Sequence, residues 1–224
     1  KEQVLASAAG HRIRAAATVE HVRTVIAGPQ KVSGSAQHQV VVGAAGQNVV
    51  ARAAEDEVIS AAAIDQVVAG AGDQAIGAGD AQVLGDAGSV MLSGWAGDAA
   101  LDGGGGSDYV NGGTGDDALQ GGDGDDFLDG GSGYDVLDGG AGDDVLVGGN
   151  GDDLFVFSGG GDVVMDFCDG DMVQFSTSLS GGVTLTDPSS VVDFAMGIGG
   201  NTLIDFGQGD SVMLYGVSYD DVAA

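Results

Sequence analysis

Residues 103–156 read GGGGSDYVN GGTGDDALQ GGDGDDFLD GGSGYDVLD GGAGDDVLV GGNGDDLFV, which are six consecutive nine-residue units without an insertion. Every unit fits the pattern G-G-x-G-x-D-x-U-x, in which U is apolar. A short period of this kind predicts a stack of similar turns and strands, in which each unit buries its apolar residue only against its neighbours. The repeat therefore predicts an all-β solenoid.

The first six residues of each unit predict a turn that is rich in oxygen ligands. Three glycines in four positions allow the backbone to adopt positive φ and to turn tightly with its carbonyls facing inward. The aspartate two residues after the third glycine adds a carboxylate to the same concave turn. One turn then offers about three oxygens, whereas Ca²⁺ takes about six to eight at roughly 2.3–2.6 Å. We therefore expect each calcium ion to lie between two stacked turns.

The last three residues of each unit, such as Tyr109-Val110-Asn111, predict a very short strand whose middle side chain points inward. Such a strand is not stable alone, but parallel stacking at about 4.8 Å would join the middle residues into a narrow continuous core. This predicted apolar column consists of Val110, Leu119, Leu128, Leu137, Leu146 and Phe155.

The charge of the chain agrees with metal binding. Its 224 residues include 34 Asp and Glu but only 6 Lys and Arg, a formal net charge of −28, and all six basic residues lie at or before Arg52. The carboxylates beyond that point must be hydrated or must bind cations. Nucleic acids and anionic membranes, which need basic patches, are excluded as partners. The 43% hydrophobic content argues against a disordered glycine-rich linker.

The six units resemble the RTX (repeats-in-toxin, or haemolysin-type) calcium-binding nonapeptide repeat. The resemblance implies a parallel β-roll with calcium in its turns, in which two units make one coil. A turn then faces the turn two units later across the ion. In that family the earlier turn gives the carbonyls of its second and fourth residues and its Asp. The later turn gives the carbonyls of its first and third residues and its Asp.

Transferred to this chain, the resemblance implies four calcium sites. Their ligands would be Gly104, Gly106 and Asp108 with Gly121, Asp123 and Asp126; Gly113, Gly115 and Asp117 with Gly130, Ser132 and Asp135; Gly122, Gly124 and Asp126 with Gly139, Ala141 and Asp144; and Gly131, Gly133 and Asp135 with Gly148, Asn150 and Asp153.

Two further sites would have a later turn that departs from the double-glycine pattern. They would join Gly140, Gly142 and Asp144 to Phe157, Gly159 and Asp162, and Gly149, Gly151 and Asp153 to Asp166, Cys168 and Asp171. Other acids are expected to be hydrated or to support the ligands from outside. They are Asp116, Asp125, Asp143 and Asp152, each just before a ligand Asp, and Asp129 and Asp138 at strand edges.

Residues 39–102 predict degenerate, metal-free β-roll repeats. In the unit that begins at Gly94, Trp95 replaces the second glycine and Ala99 replaces the ligand aspartate, so calcium binding is expected to be lost. Valine-rich pairs recur every nine residues between 40 and 68, with a register slip after residue 70, and Val83 and Leu92 continue the apolar spacing. An Ala-rich helix over 44–69 is the alternative, but nine residues at about 100° each would place successive pairs on opposite helix faces. Residues 1–38 form an N-terminal segment that the pattern leaves open.

Residues 157–224 predict a β-rich C-terminal cap. Residues 202–206 and 211–215 read as strands joined by the hairpin-like turn Gly207-Gln208-Gly209-Asp210. A repeat stack needs such a closed end. The segment resembles the cap of exported RTX proteins, which also carries their uncleaved signal for a type I exporter, although its closing residues 219–224 contain few aromatics.

No catalytic constellation is present: the sequence contains no H-E-x-x-H, no G-x-S-x-G and no P-loop. Cys168 cannot form an internal disulfide because it is the single cysteine, and a packing role is expected for it. His11, His21 and His38 share no metal-ligand spacing, and surface or packing positions are expected. Catalysis by these residues is therefore not predicted.

The predicted function is that of a secreted or cell-surface calcium-binding β-roll of bacterial type. It would stay unfolded at cytosolic calcium, pass the export machinery and fold on Ca²⁺ outside the cell. It would then serve as the folding, export and structural module of a larger protein. The alternatives are a self-associating structural protein of a surface layer, adhesin or filament, and a module that contacts cell-surface polysaccharide.

Overall fold

A computed structural model describes residues 2–7, 13–14, 21–26, 32–33, 39–42, 48–50, 57–60, 66–68, 74–77, 82–85, 87–176 and 188–222. Side-chain burial is described for 82–85, 87–176 and 191–222. His11, His38 and the last two residues of the predicted export signal lie outside the described residues, as does the side chain of His21.

The described residues form 23 β-strands, one 3₁₀ helix, Pro188–Phe194, and one short α-helix, Tyr219–Val222. The strands are β1 Glu2–Ser7, β2 Ile13–Arg14, β3 His21–Ile26, β4 Val32–Ser33, β5 Gln39–Val42, β6 Asn48–Val50, β7 Glu57–Ser60, β8 Gln66–Val68, β9 Gln74–Gly77, β10 Gln82–Leu84, β11 Val90–Ser93, β12 Ala100–Gly105, β13 Tyr109–Thr114, β14 Ala118–Asp123, β15 Phe127–Ser132, β16 Val136–Ala141, β17 Val145–Asn150, β18 Leu154–Phe157, β19 Gly161–Val164, β20 Met172–Phe175, β21 Ala195–Ile198, β22 Asn201–Gly207 and β23 Asp210–Leu214.

Two large sheets make up the solenoid, and successive strands alternate between them. The eight-stranded sheet has the order β20-β18-β16-β14-β12-β10-β8-β6. The eleven-stranded sheet has the order β21-β22-β23-β19-β17-β15-β13-β11-β9-β7-β5. Alternation between the sheets means that two nine-residue units form one coil, as the predicted parallel β-roll requires.

The register repeats every 18 residues through the repeat array. Tyr109 pairs with Phe127, and Phe127 pairs with Val145. Upstream, β5 pairs with β7 at the same spacing, from Gln39 to Glu57. The register then shortens to 16 residues where Gln66 pairs with Gln82. This shortening is the structural form of the slip that the sequence shows after residue 70. The strands β6, β7 and β8 occupy the segment for which a helix was the alternative, so the helical interpretation is wrong.

The strands of the array are longer than the sequence predicts. In β13 to β17 each strand runs for six residues, through the x-U-x triplet and on into the Gly-Gly-x that follows it. Pairing continues there, as between Gly113 and Gly131, because glycine without a side chain keeps neighbouring coils in ladder contact. Burial alternates along each strand, as in the pattern of β15. The alternation directs the middle residue inward.

The predicted apolar column is confirmed as the core. Val83, Leu92, Val110, Leu119, Leu128, Leu137, Leu146 and Phe155 are all no more than 2% exposed. Leu101, also 2% exposed, joins the column between Leu92 and Val110. Because the core is one side chain wide on each sheet, no second layer can compensate for a lost member.

We expect Leu128→Ala to lower the free energy of unfolding by about 2–5 kcal/mol, because Leu128 is fully buried and its removal leaves a cavity in a narrow core. Urea unfolding in calcium buffer measures the change. Met91→Ala, at a side chain that is 54% exposed on the same sheet, is the control and should stay within about 0.5 kcal/mol of the parent. Equal losses in the two variants would contradict a continuous core.

The C-terminal end of the roll is closed by the hairpin that the sequence predicts. β22 and β23 pair antiparallel, and β23 adds in parallel to β19. Phe206 from β22 lies 5.9 Å from Phe157 and 5.3 Å from Phe175 between ring centroids, so aromatic side chains cover the last coil. Neither helix among the described residues is long and apolar enough to cross a membrane.

Candidate metal centre

The conserved position of the turn places one aspartate of every unit inside the protein, in two columns that run along the roll. The seven aspartates from the repeat positions are between 0 and 4% exposed: Asp108, Asp117, Asp126, Asp135, Asp144, Asp153 and Asp162. Each column is linked by backbone hydrogen bonds from one coil to the next. The Asp108 N–H donates to Oδ1 of Asp126 at 2.8 Å, and the Asp126 N–H donates to Oδ1 of Asp144 at 2.9 Å.

The second carboxylate oxygen of these residues lacks a protein partner. Oδ2 is buried without any hydrogen bond in six of them, Asp108, Asp117, Asp126, Asp135, Asp144 and Asp162. A buried, unsatisfied carboxylate oxygen is costly, and burying a charge requires a cation or a set of donors. Within the described residues no Lys or Arg lies beyond residue 50, so a bound cation is the partner that these oxygens fit.

Backbone carbonyls supply the other oxygens that the predicted sites need. A Cβ built on Gly122 or Gly124 would overlap the carbonyl oxygens of Gly104 and Gly106, so those two carbonyls face the later turn. Carbonyls of the later turn face back: the Gly121 oxygen lies 2.7 Å from a Cβ built on Gly103, and the Asp123 oxygen accepts the Gly106 N–H at 2.8 Å. The first predicted ligand set is therefore brought together across one coil spacing.

The same arrangement recurs for the other three predicted sets. The N–H of the fourth turn residue donates to the third carbonyl of the later turn in each, from Gly115 to Ser132, Gly124 to Ala141 and Gly133 to Asn150, at 2.7–2.9 Å. No group of three or more His, Cys, Asp or Glu side chains suited to a metal occurs among the described residues. A site here must therefore combine two carboxylates with backbone carbonyls, which suits a hard cation such as Ca²⁺.

Comparison with known families agrees with this geometry. A family model described as the RTX calcium-binding nonapeptide repeat, in four copies, matches residues 76–110, 102–137 and 135–164. Residues 76–164 are RTX calcium-binding repeats. The chain therefore contains a calcium-binding repeat module, and its β-roll is a structural calcium-binding fold. A search of curated proteins found no match.

The three glycines of an RTX turn have two different roles, which corrects the expectation that all three provide positive φ. The second and fourth do, as at Gly122 (φ 114°) and Gly124 (φ 125°). The first glycine, such as Gly121, does not. A Cβ there would overlap Oδ2 of Asp126 and would lie 2.5 Å from the Gly139 carbonyl oxygen. The first glycine is needed because it leaves room for the carboxylate and for the facing carbonyl.

We expect Gly121→Ala to weaken calcium binding and to lower stability in calcium buffer by about 1–3 kcal/mol, because the added methyl overpacks the carboxylate position of Asp126. Calorimetric titration with calcium and thermal unfolding measure the two effects. The matched control is Gly197→Ala, since a Cβ at Gly197 would meet its nearest atom, on Tyr219, at an ordinary 3.4 Å. A Gly121 variant that binds calcium like the control would refute the steric role.

The fifth predicted ligand set is altered by its later turn. Asp144 and Asp162 are linked as in the array, at 3.2 Å, and Oδ2 of Asp162 is buried without a partner. However, the Gly140 carbonyl accepts a hydrogen bond from the Ser158 hydroxyl at 3.1 Å. Phe157, whose carbonyl is a predicted ligand, buries its side chain in the core.

The sixth predicted set differs more. Asp171 accepts the Asp153 N–H on Oδ1 at 2.9 Å and the Cys168 N–H on Oδ2 at 2.8 Å, so both of its oxygens are engaged within the protein. The Asp166 carboxylate accepts the N–H groups of Gly148 and Gly149 at 2.9 and 2.8 Å. Cys168 itself is exposed. Asp166 and Asp171 thus replace with hydrogen bonds what the array leaves open.

The aspartate that precedes each ligand Asp has a role that sequence reasoning missed. Asp116, Asp125 and Asp143 are exposed, and each accepts a backbone N–H from the coil after it: Tyr134, Asp143 and Gly161, at 2.8, 3.1 and 2.9 Å. The ligand Asp accepts from the coil before it. An Asp-Asp pair therefore links its turn to both neighbours, and the repeated DD in the sequence was the available signal.

Upstream of the array, Trp95 and Ala99 keep the turn without its carboxylate. Trp95 adopts the positive φ of the glycine it replaces, 66°, and Ala99 is buried at the aspartate position. The Ala99 N–H still donates to Oδ1 of Asp117 at 2.7 Å. The turn geometry is thus retained where the second carboxylate is absent.

Burial raises the pKa of the column aspartates, and repulsion between neighbouring carboxylates adds to the effect. The pKa of Asp126 is raised to about 7, and that of Asp135 to about 6. The pKa of Asp162, the last of its column in the array, is raised to about 8. Without a cation, the fold therefore favours protonated carboxyl groups near neutral pH.

These pKa values predict opposite pH dependences with and without calcium. A folded-state pKa raised above the model value of 3.8 stabilises the calcium-free roll below about pH 4, and this stability is lost as pH rises through about 6 to 8. Calcium needs the charged form, so its binding should release protons at pH 7 and weaken in acid. Calorimetry in buffers of different ionisation enthalpy measures the released protons. Binding without proton release would contradict the burial of these groups.

Proposed function

We propose that this chain is the calcium-triggered folding module of a protein that acts outside the cell. At the low calcium of a cytosol its turns remain unfolded because the carboxylates repel one another, and at extracellular calcium the sites fill and folding follows binding. The observation that carries the proposal is the set of six buried Oδ2 atoms without a partner, in a part of the chain that lacks cationic side chains.

The calcium sites proposed first are the four formed by turns of the regular array, with the sets ending at Asp162 and Asp171 as weaker additions. Each regular site would hold Ca²⁺ between two carboxylates and four carbonyls. RTX repeat proteins are typically secreted, which supports an extracellular location and passage through a type I exporter as an unfolded chain. The roll would then serve the folding and architecture of a larger protein.

Far-UV circular dichroism of the chain during a calcium titration tests this function. The β signal should rise cooperatively in the range of about 10⁻⁴ to 10⁻³ M calcium, where extracellular modules commonly bind. Magnesium is the matched cation, and it should be much less effective because it demands near-octahedral geometry and holds its water. A complete β spectrum at sub-micromolar calcium would overturn the proposal.

A further inference from the structure

The outer face of the eleven-stranded sheet carries an apolar ladder that calcium binding does not use. Eight neighbouring strands each place one apolar side chain at the same register position, on the face opposite the core. In spatial order the ladder residues are Met91, Tyr109, Phe127, Val145, Val163, Met213, Leu203 and Met196. The rings of Tyr109 and Phe127 stack at 5.2 Å and are parallel to within 1°.

The ladder widens toward the cap. A second apolar side chain lies two residues along the chain from each of four ladder residues, at Val147, Met165, Tyr215 and Ile198. Met165, Tyr215 and Ile198 are 44%, 52% and 45% exposed, and Met196 of the ladder is 47% exposed. These twelve residues are the apolar face. Contiguous exposed apolar surface of this kind marks an interaction site.

The charge distribution singles out this face. In a chain with 34 acidic residues, no ladder residue is charged. The carboxylates beside the ladder are Asp129, which accepts a hydrogen bond from Asn111, and Asp205 at the cap margin. The outer face of the eight-stranded sheet differs, because Asp102 and Asp138 follow its strand residues Leu101 and Leu137 and interrupt it.

We propose that the apolar face binds the same face of a second copy, in a two-fold, sheet-on-sheet dimer. Two chains of net charge −28 repel each other, so they can associate only where few carboxylates come together, and the ladder is such a region. Two flat apolar sheets pack face to face at about 10 Å. Isologous pairing is the common way for one such face to be covered by a second copy.

The size of the face fits a dimer interface. Eight strands at about 4.8 Å and strands of six residues at about 3.3 Å per residue give roughly 750 Å². A standard interface buries about 800 Å² on each partner. Because the ladder strands β13 to β19 belong to the calcium array, the dimer should form only after calcium has folded the roll. In this respect the inference rests on the proposed function.

Analytical ultracentrifugation of the full chain at about 10⁻⁴ M protein, a concentration at which an interface of this size should associate, tests the dimer. The test variant is Tyr215→Glu, which places a carboxylate on the apolar face. The matched control is Met172→Glu on the eight-stranded sheet, because Met172 is 51% exposed and Tyr215 is 52% exposed. In calcium, the parent and Met172→Glu should sediment at twice the chain mass, and Tyr215→Glu should weaken association at least tenfold.

Circular dichroism of the same samples separates the outcomes. A β-folded parent that stays monomeric in calcium would overturn the dimer and leave the calcium function intact. A chain without β structure in calcium would instead overturn the proposed function. A dimer that Tyr215→Glu does not weaken, or that Met172→Glu weakens equally, would overturn the assignment to the apolar face.

Discussion

Removing calcium from the folded chain is expected to lower the midpoint of thermal unfolding by about 20–40 °C. A site held at about one hundred times its dissociation constant stabilises the folded state by about 2.7 kcal/mol, so four regular sites contribute about 11 kcal/mol. In a domain of this size each kcal/mol shifts the midpoint by about 2–4 °C. The buried Oδ2 atoms add to the effect because they repel one another once the cation has gone.

Thermal unfolding followed by circular dichroism in millimolar calcium and in EGTA measures this shift. Magnesium at the same concentration is the control for ionic strength and for divalent charge, and it should restore little of the lost stability. Equal midpoints in calcium and EGTA would show that the apolar column alone holds the roll together, and the calcium trigger would then be wrong.

Replacing Asp126 by alanine is expected to be the most damaging single change among the ligand aspartates. Asp126 belongs to two predicted sites, one with Asp108 and one with Asp144, so its loss impairs both. The stabilisation by calcium should fall by up to about 5 kcal/mol, the contribution of two sites, with a drop in midpoint of about 10–20 °C. The Asp108 N–H also loses its acceptor.

The neighbouring Asp125→Ala is the control for the removal of one carboxylate from the same turn. Asp125 is exposed and accepts one hydrogen bond, from the Asp143 N–H at 3.1 Å, so its loss should cost about 1 kcal/mol or less. In EGTA the order should change: Asp126→Ala should be no less stable than the parent, because a buried carboxylate without a partner has been removed. Similar losses for Asp125→Ala and Asp126→Ala in calcium would refute the assignment of ligands.

The β-roll could be predicted because its repeat combines two independent requirements at one period. Leu128 and its equivalents recur every nine residues, which suits strands that alternate between two sheets, and the glycines recur at the positions where the chain turns. The hairpin of β22 and β23 could be predicted from its turn residues alone. These features depend on residue type and on neighbours in sequence, which are the properties that a single sequence displays.

Other features depend on contacts between coils 18 residues apart. The role of Gly121 as space for Asp126, the reach of Asp125 to the next coil and the engagement of both Asp171 oxygens all require three-dimensional neighbours. The apolar ladder is of the same kind, since Met213, Leu203 and Met196 join Val163 only through the pairing of the cap.

By itself, the sequence determined the repeat period, the buried column, the closed C-terminal end and the calcium chemistry of the turns. The physical reason is that local turn geometry and oxygen ligands are set by glycine and aspartate at fixed spacing. Only the tertiary structure decided which glycine gives conformation and which gives space, and which carboxylate oxygens stay without a partner. It also decided which outer face remains apolar. These depend on the 18-residue register, through which residues distant in sequence lie about 4.8 Å apart in neighbouring strands.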